Sequence, residues 1–131
     1  RRFALVGQTL DGMRVWDARR ALAALRELGI GGDAPVEIHG HHAMAAVALW
    51  TAVFEPRIQK IVLADPPTTV HDGPAFLNLE RYLDMPQALA LLHPREVVLI
   101  TDKPEAWRWP HALDAALTPG RDWPQLVAPN R

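Results

Sequence analysis

Side chains able to do chemistry gather at three places in the sequence: His39-Gly40-His41-His42, Asp65-Pro66-Pro67 and Thr101-Asp102-Lys103. Each follows a short apolar run that reads as a β-strand. In a parallel α/β sheet, ligands and reactive groups sit beyond the carboxyl ends of the strands. The three segments are therefore expected to meet above one end of a sheet. The histidine cluster is the sharpest of them. A tight turn from strand to helix lifts one side chain over the sheet, and the next helix N-terminus adds positive potential there. If strand geometry persists, His39 and His41 point to one face and His42 to the other. Two such imidazoles can begin a site for Zn²⁺ or another transition metal, with Asp65, His71, Asp72 or Asp102 arriving from nearby loops. A hydrolytic metal would polarise an acyl oxygen and lower the pKa of bound water. The competing reading makes His39 a packed or hydrogen-bonded strand-end residue, with His41 and His42 opening the helix. Under it the strand breaks at Gly40 and the shared face is lost.

These groups need elements to position them. Phe3-Ala4-Leu5-Val6, closed by Gly7, reads as a short strand. Val15, Ala18, Leu22, Leu25 and Leu28 then recur at helical spacing, with Asp11 as the expected cap and Gly29 as the stop. Residues 36–39 form the next strand, and a helix over 43–54 is apolar almost all round, so it demands burial on more than one side. A third strand over 58–65 is halted by Pro66-Pro67. Residues 68–85 form a long connection with a helical turn near 76–82, and Pro86 opens a short helix through residue 92. A fourth strand follows over 97–100. Pro104 starts a helix reaching residue 117, and residues 123–127 suggest a final edge strand. Short apolar strands alternating with helices predict an α/β fold: three-layer, with a mostly parallel sheet flanked by helices and covered on both faces.

The chain has 131 residues, one domain's worth, and 49% of them are hydrophobic. Its 14 Lys and Arg against 15 Asp and Glu leave a formal charge of -1, which speaks against a nucleic-acid partner. There is no Cys, so disulfide and thiolate chemistry are excluded. The longest apolar run is about half the length that spans a bilayer, so no membrane partner is expected. The opening Arg1-Arg2-Phe3 is soon interrupted by Gln8 and Asp11 and does not resemble a signal peptide. Without an initiator Met, the sequence reads as a processed product or a portion of a longer protein. No phosphate-cradling glycine motif occurs. Trp107, Trp109 and Trp123, interleaved with Pro104, Pro110 and Pro124, suit packing of the last helix and tail, although sugar sites also use indoles.

Longer stretches carry a resemblance. Leu5 through Asp17, Val36-Glu37-Ile38-His39-Gly40-His41-His42-Ala43-Met44-Ala45, Pro56-Arg57-Ile58 with Ile61-Val62-Leu63, Tyr82-Leu83-Asp84-Met85-Pro86 and His93-Pro94-Arg95-Glu96-Val97-Val98-Leu99-Ile100 together resemble the α/β-hydrolase superfamily. The similarity is to its acetyl-xylan-esterase-like and prolyl-oligopeptidase-like members. It covers almost the whole chain but corresponds to only the central and later sheet of a complete hydrolase. The family's Gly-x-Ser-x-Gly elbow falls on Gly40-His41-His42-Ala43-Met44, placing His42 where Ser belongs and Met44 at the second Gly. The chain contains no Ser at all, and none of its Thr residues lies in an elbow-like setting. The resemblance makes Asp102 the match to the triad acid and His111, inside the last helix, a poor match to the triad base.

The catalytic candidates are thus His42, Asp102 and His39, with His39 and His41 as the metal alternative and no other cofactor. Three functions stay open. The chain is a hydrolase-like domain without a self-contained Ser triad that binds a ligand or scaffolds a partner; or one portion of a larger assembly; or a His- or metal-assisted esterase. If it is active, the resemblance implies a small ester or an acetylated sugar as substrate. A homo-oligomer or a complementing chain would supply what the sheet lacks. A long free strand edge or an uncovered apolar face would favour the larger assembly.

Overall fold

The computed structural model describes residues 7–129. The expected strand over 3–6 lies outside these residues. Helix α1 spans Leu10–Glu27, and its N-cap is Thr9, whose Oγ1 accepts the Gly12 amide at 3.0 Å. The Asp11 expected in that role instead pairs with Arg14 at 2.7 Å and accepts the Ala75 amide. Gly29, at φ 68, turns the chain out of the helix as expected.

Strand β1 (Val36–His41) leads into α2 (Ala43–Phe54), then β2 (Ile58–Ala64). A 66–84 connection containing one 3-10 turn, Leu79–Arg81, precedes α3 (Met85–Ala90) and β3 (Glu96–Ile100). Asp84 caps α3 in a reciprocal pair with Gln87, and its carboxylate also accepts the Val70 amide, pinning the long connection to the helix start. The last helix divides into a 3-10 segment, Pro104–Trp107, and α4 (Arg108–Leu117). Pro110 explains the break: it has no N–H to donate to an earlier turn, so it suits the first turn of a new helix. Strand β4 (Gln125–Val127) closes the series as an edge strand.

The sheet order is β1-β2-β3-β4, and every neighbouring pair is parallel. The fold is α/β in three layers: the sheet, α2 packed on β1 and β2 with α3 beside it and α4 against α3, and α1, which rests mainly on α2. Each crossover carries the chain one strand further in the same direction. With a constant right-handed crossover, all three connecting helices fall on one face. Ile58, Ile61, Leu63, Val97 and Leu99 point into that face and are buried to 1% exposure or less. Val62, Ala64, Val98 and Ile100 point to the other face and are only half-buried. Cover on both faces is therefore met on one face only among the described residues.

Helix α2 is buried along 45–52, as its uniformly apolar composition requires, between β1, β2, α1 and α3. Its lower end is braced by Arg95, whose guanidinium donates to the carbonyls of Ala52, Glu55 and Ile58. Glu55 in turn receives Arg19 at 3.0 Å and Arg26 at 3.1 Å, tying α1 to the same corner. No helix among the described residues is long and apolar enough to cross a membrane.

Candidate functional site

The three strand ends meet as the spacing predicts. His42 follows β1, Asp65 follows β2 and Asp102 lies just beyond β3; with His41, Ala64, Ile100, Thr101 and Pro129 they line one cleft of about 260 Å³ at the carboxyl end of the sheet. The backbone builds this junction directly. The His42 amide donates to Ala64, the Asp65 amide to Ile100 and the Thr101 amide to Val127, so each strand end is laced to the next.

Strand β1 does not break at Gly40, as the sequence suggested, but continues through His41. Gly40 is demanded by packing and not by its torsion. A Cβ there would lie 2.5 Å from the Cα of Ala45 and 2.6 Å from the carbonyl oxygen of Met44. The first turn of α2 crosses directly over the strand, which only glycine allows. The chain makes that sharp reversal at His42, held at φ 50 and ψ −128. This is backbone space that a residue with a Cβ enters only under strain. Met44, in the first turn of α2, keeps its side chain exposed.

His42 is therefore projected away from the sheet, and Nδ1 lies 2.7 Å from Oδ2 of Asp65. Asp65 is itself at φ 47, so both partners have positive φ at adjacent strand ends. With the proton on Nδ1 directed at the carboxylate, Nε2 keeps a free lone pair. The arrangement is a carboxylate-oriented imidazole, the grouping that acts as a proton acceptor in general base chemistry. Both side chains are more than half exposed, and the His41 ring lies against that of His42 with centroids 3.8 Å apart.

The other candidates are placed differently. His39 stands two residues back along β1 on the half-open face, with Nε2 2.8 Å from Glu37, and does not line the cleft. His39 and His41 share a face of the unbroken strand, yet His39 is engaged by Glu37. No group of three or more His, Asp or Glu side chains among the described residues is placed to hold a metal ion. His71 faces Glu80 at 3.5 Å, and His111, inside α4 as expected, pairs with Asp122 at 3.1 Å. Thr101 is buried, and its hydroxyl accepts the Lys103 amide, turning the chain after β3 so that Asp102 faces the cleft.

Sequence reasoning placed Asp65 among possible metal ligands and missed it as the partner of His42. The available signal was its position: an acid at the very end of the strand beside β1, immediately before Pro66-Pro67. Comparison with known proteins finds no family model that matches the chain and no matching curated relative.

Proposed function

We propose that this chain is an α/β-hydrolase-like domain, of the kind related to ester and peptide hydrolases, in which His42 and Asp65 stand in place of a Ser-based triad. The observation that carries the reading is the strained strand-to-helix turn at His42, with Gly40 crossed closely by α2 and Asp65 at 2.7 Å. On this reading the turn does the work of a nucleophile elbow, the device that exposes a single side chain above such a sheet. The occupant of the cleft is a small ester or an acetylated sugar. Its acyl group lies against His42, with Asp102 on the opposite wall. Nε2 of His42 takes a proton from water, the water oxygen attacks the acyl carbon, and the imidazolium returns the proton to the departing alcohol.

A second reading is binding without turnover, and the openness of the pair favours it. Side chains 64% and 53% exposed leave the imidazole in water, where electrostatic assistance is weak. One experiment separates the two. Hydrolysis of a small aryl acetate is followed with chelator present, alongside titration of an acetylated xylo-oligosaccharide monitored at the His42 imidazole by NMR. Base catalysis predicts chelator-resistant hydrolysis that His42→Ala abolishes and Asp65→Asn reduces by about tenfold or more. Binding alone predicts perturbation of the imidazole and no His42-dependent hydrolysis. Neither hydrolysis nor perturbation would leave the cleft without this function.

A further inference from the structure

The cleft at the carboxyl end of the sheet has a floor set by strand register. His41 stands beside Ala64 in the β1–β2 pairing, and Ala64 beside Ile100 in the β2–β3 pairing. Side chains at paired positions of neighbouring strands share a face, so these three form one row across the half-open face. All three line the cleft together with His42 and Asp65. The row is uneven. Ala64 carries only a methyl group, with an imidazole on one side and the branched Ile100 on the other. The middle of the row is therefore a shallow seat, apolar below and toward Ile100, with a polar ring at the His41 side.

Attack on an acyl carbon moves an electron pair onto the acyl oxygen, and that charge needs a hydrogen-bond donor. The amides at the strand ends are already spent, since those of His42, Asp65 and Thr101 donate to Ala64, Ile100 and Val127. The Thr101 side chain points with Val97 and Leu99 to the helix-covered face. Nδ1 of His42 is turned to Asp65, and the carboxylates of Asp65 and Asp102 would repel an oxyanion. Ala43 and Met44, whose amides open α2, do not line the cleft. Among the described residues that do, His41 is the donor that remains. Its ring lies 3.8 Å from that of His42, centroid to centroid, and in either neutral tautomer an imidazole keeps one N–H to give.

We infer that the row His41–Ala64–Ile100 is the acyl subsite of this cleft: the acyl methyl sits on Ala64 against Ile100, and the His41 N–H donates to the acyl oxygen. The inference rests on the proposed ester chemistry and adds to it a preference for short acyl groups. As water attacks and its proton passes to Nε2 of His42, the carbonyl electron pair moves to the oxygen held by His41. Collapse re-forms the carbonyl and breaks the bond to the alcohol oxygen, which takes the proton from His42. His41 keeps its own proton throughout.

The test compares an aryl acetate with an aryl butyrate as substrates of the full chain, and titrates acetamide against the His41 ring and the Ala64 methyl by NMR. The acetate should exceed the butyrate by about tenfold or more in kcat/KM, and Ile100→Ala should erase most of that preference. His41→Ala should lower kcat about tenfold or more with KM nearly unchanged, and His41→Gln, which keeps an N–H donor, should recover part of the loss. The His42 ring should keep its Asp65 contact in both variants, which separates a donor from a mere prop for that ring. Unchanged kcat in His41→Ala overturns the donor, and so does a loss that travels with the Asp65 contact. Equal rates for the two esters overturn the seat. A wild type that hydrolyses neither ester removes the proposed chemistry and the donor with it; the seat then stands if acetamide shifts both His41 and Ala64, and falls if either is unmoved.

Discussion

Two polar clusters lie at opposite ends of the same parallel sheet and use their groups in opposite ways. At the lower end, Arg95 spends its guanidinium on four carbonyls, those of Leu92, Ala52, Glu55 and Ile58, while its own carbonyl accepts Trp123 Nε1 at 2.7 Å. His93 lies edge-on to that indole and pairs at 2.9 Å with Asp114, which is 1% exposed. Burial pulls the Arg95 guanidinium below its ordinary value, and its hydrogen bonds to backbone carbonyls are what fasten this end of the sheet. At the upper end, His42 and Asp65 sit on strained backbone, and their side chains, open to solvent, pair with each other. A fold tolerates strain and exposed charge where other groups hold it shut. On the proposed reading, the lower cluster holds the sheet together while the upper one is left open for a ligand.

The contrast breaks if the lower cluster proves dispensable. Trp123→Ala should do more damage than any other substitution at either end of the sheet, costing about 4 kcal/mol in urea unfolding, because it removes a buried indole and leaves a cavity beside His93. Arg95→Ala follows at about 3 kcal/mol, since its carbonyl partners at the end of α2 and the start of β2 lose a shared charged donor. Values under about 1 kcal/mol for both would show that the brace is ornamental and that the core alone carries the fold.

The sequence revealed the upper cluster better than the lower one, for a physical reason. Strand ends declare themselves through short apolar runs stopped by Gly or Pro, and in a parallel sheet those ends converge wherever the strands are adjacent. His42, Asp65 and Asp102 could thus be gathered from the sequence alone. The brace depends on contacts between residues such as Ala52 and Arg95, far apart in sequence and bonded through backbone carbonyls that carry no residue signature. The same limit explains the single covered face. Alternation between strands and helices says that crossovers exist, while the order of the strands decides which face they cover. Gly40 misled because glycine ends strands by conformational freedom, whereas here it stays inside the strand to make room for Ala45.

Gly40→Ala sharpens the comparison from the upper side. The added methyl meets the backbone of the first turn of α2, so a loss of about 2 kcal/mol is expected, together with loss of the His42–Asp65 contact in the imidazole NMR spectrum. Asp84 gives a smaller effect with a pH signature. Burial pushes its carboxyl up, but the Val70 and Met85 amides, the Thr69 hydroxyl and the nearby His71 together hold it below the ordinary value. A depressed folded-state pKa stabilises above the unfolded value and loses that contribution as pH falls through the folded value. Asp84→Asn should therefore cost stability near neutrality, by about 1 kcal/mol, and flatten the acid limb below pH ~4. An acid limb of unchanged steepness would remove Asp84 from the account.

The smallest effect is the most diagnostic of a functional turn. If His42 is held in strained backbone for the sake of its imidazole, relieving the strain should stabilise the chain while removing the chemistry. Glycine enters the region near φ 50, ψ −128 without a Cβ penalty, whereas alanine keeps the penalty and gives up the Asp65 contact. His42→Gly should accordingly be at least as stable as wild type and about 1 kcal/mol more stable than His42→Ala, even after the greater freedom glycine has in the unfolded chain. The two variants remove the same imidazole, so any difference between them in urea unfolding isolates the backbone. Equal stability would mean the turn relaxes when the ring is gone; the strain would then belong to the His42–Asp65 contact, and the elbow reading would lose its support.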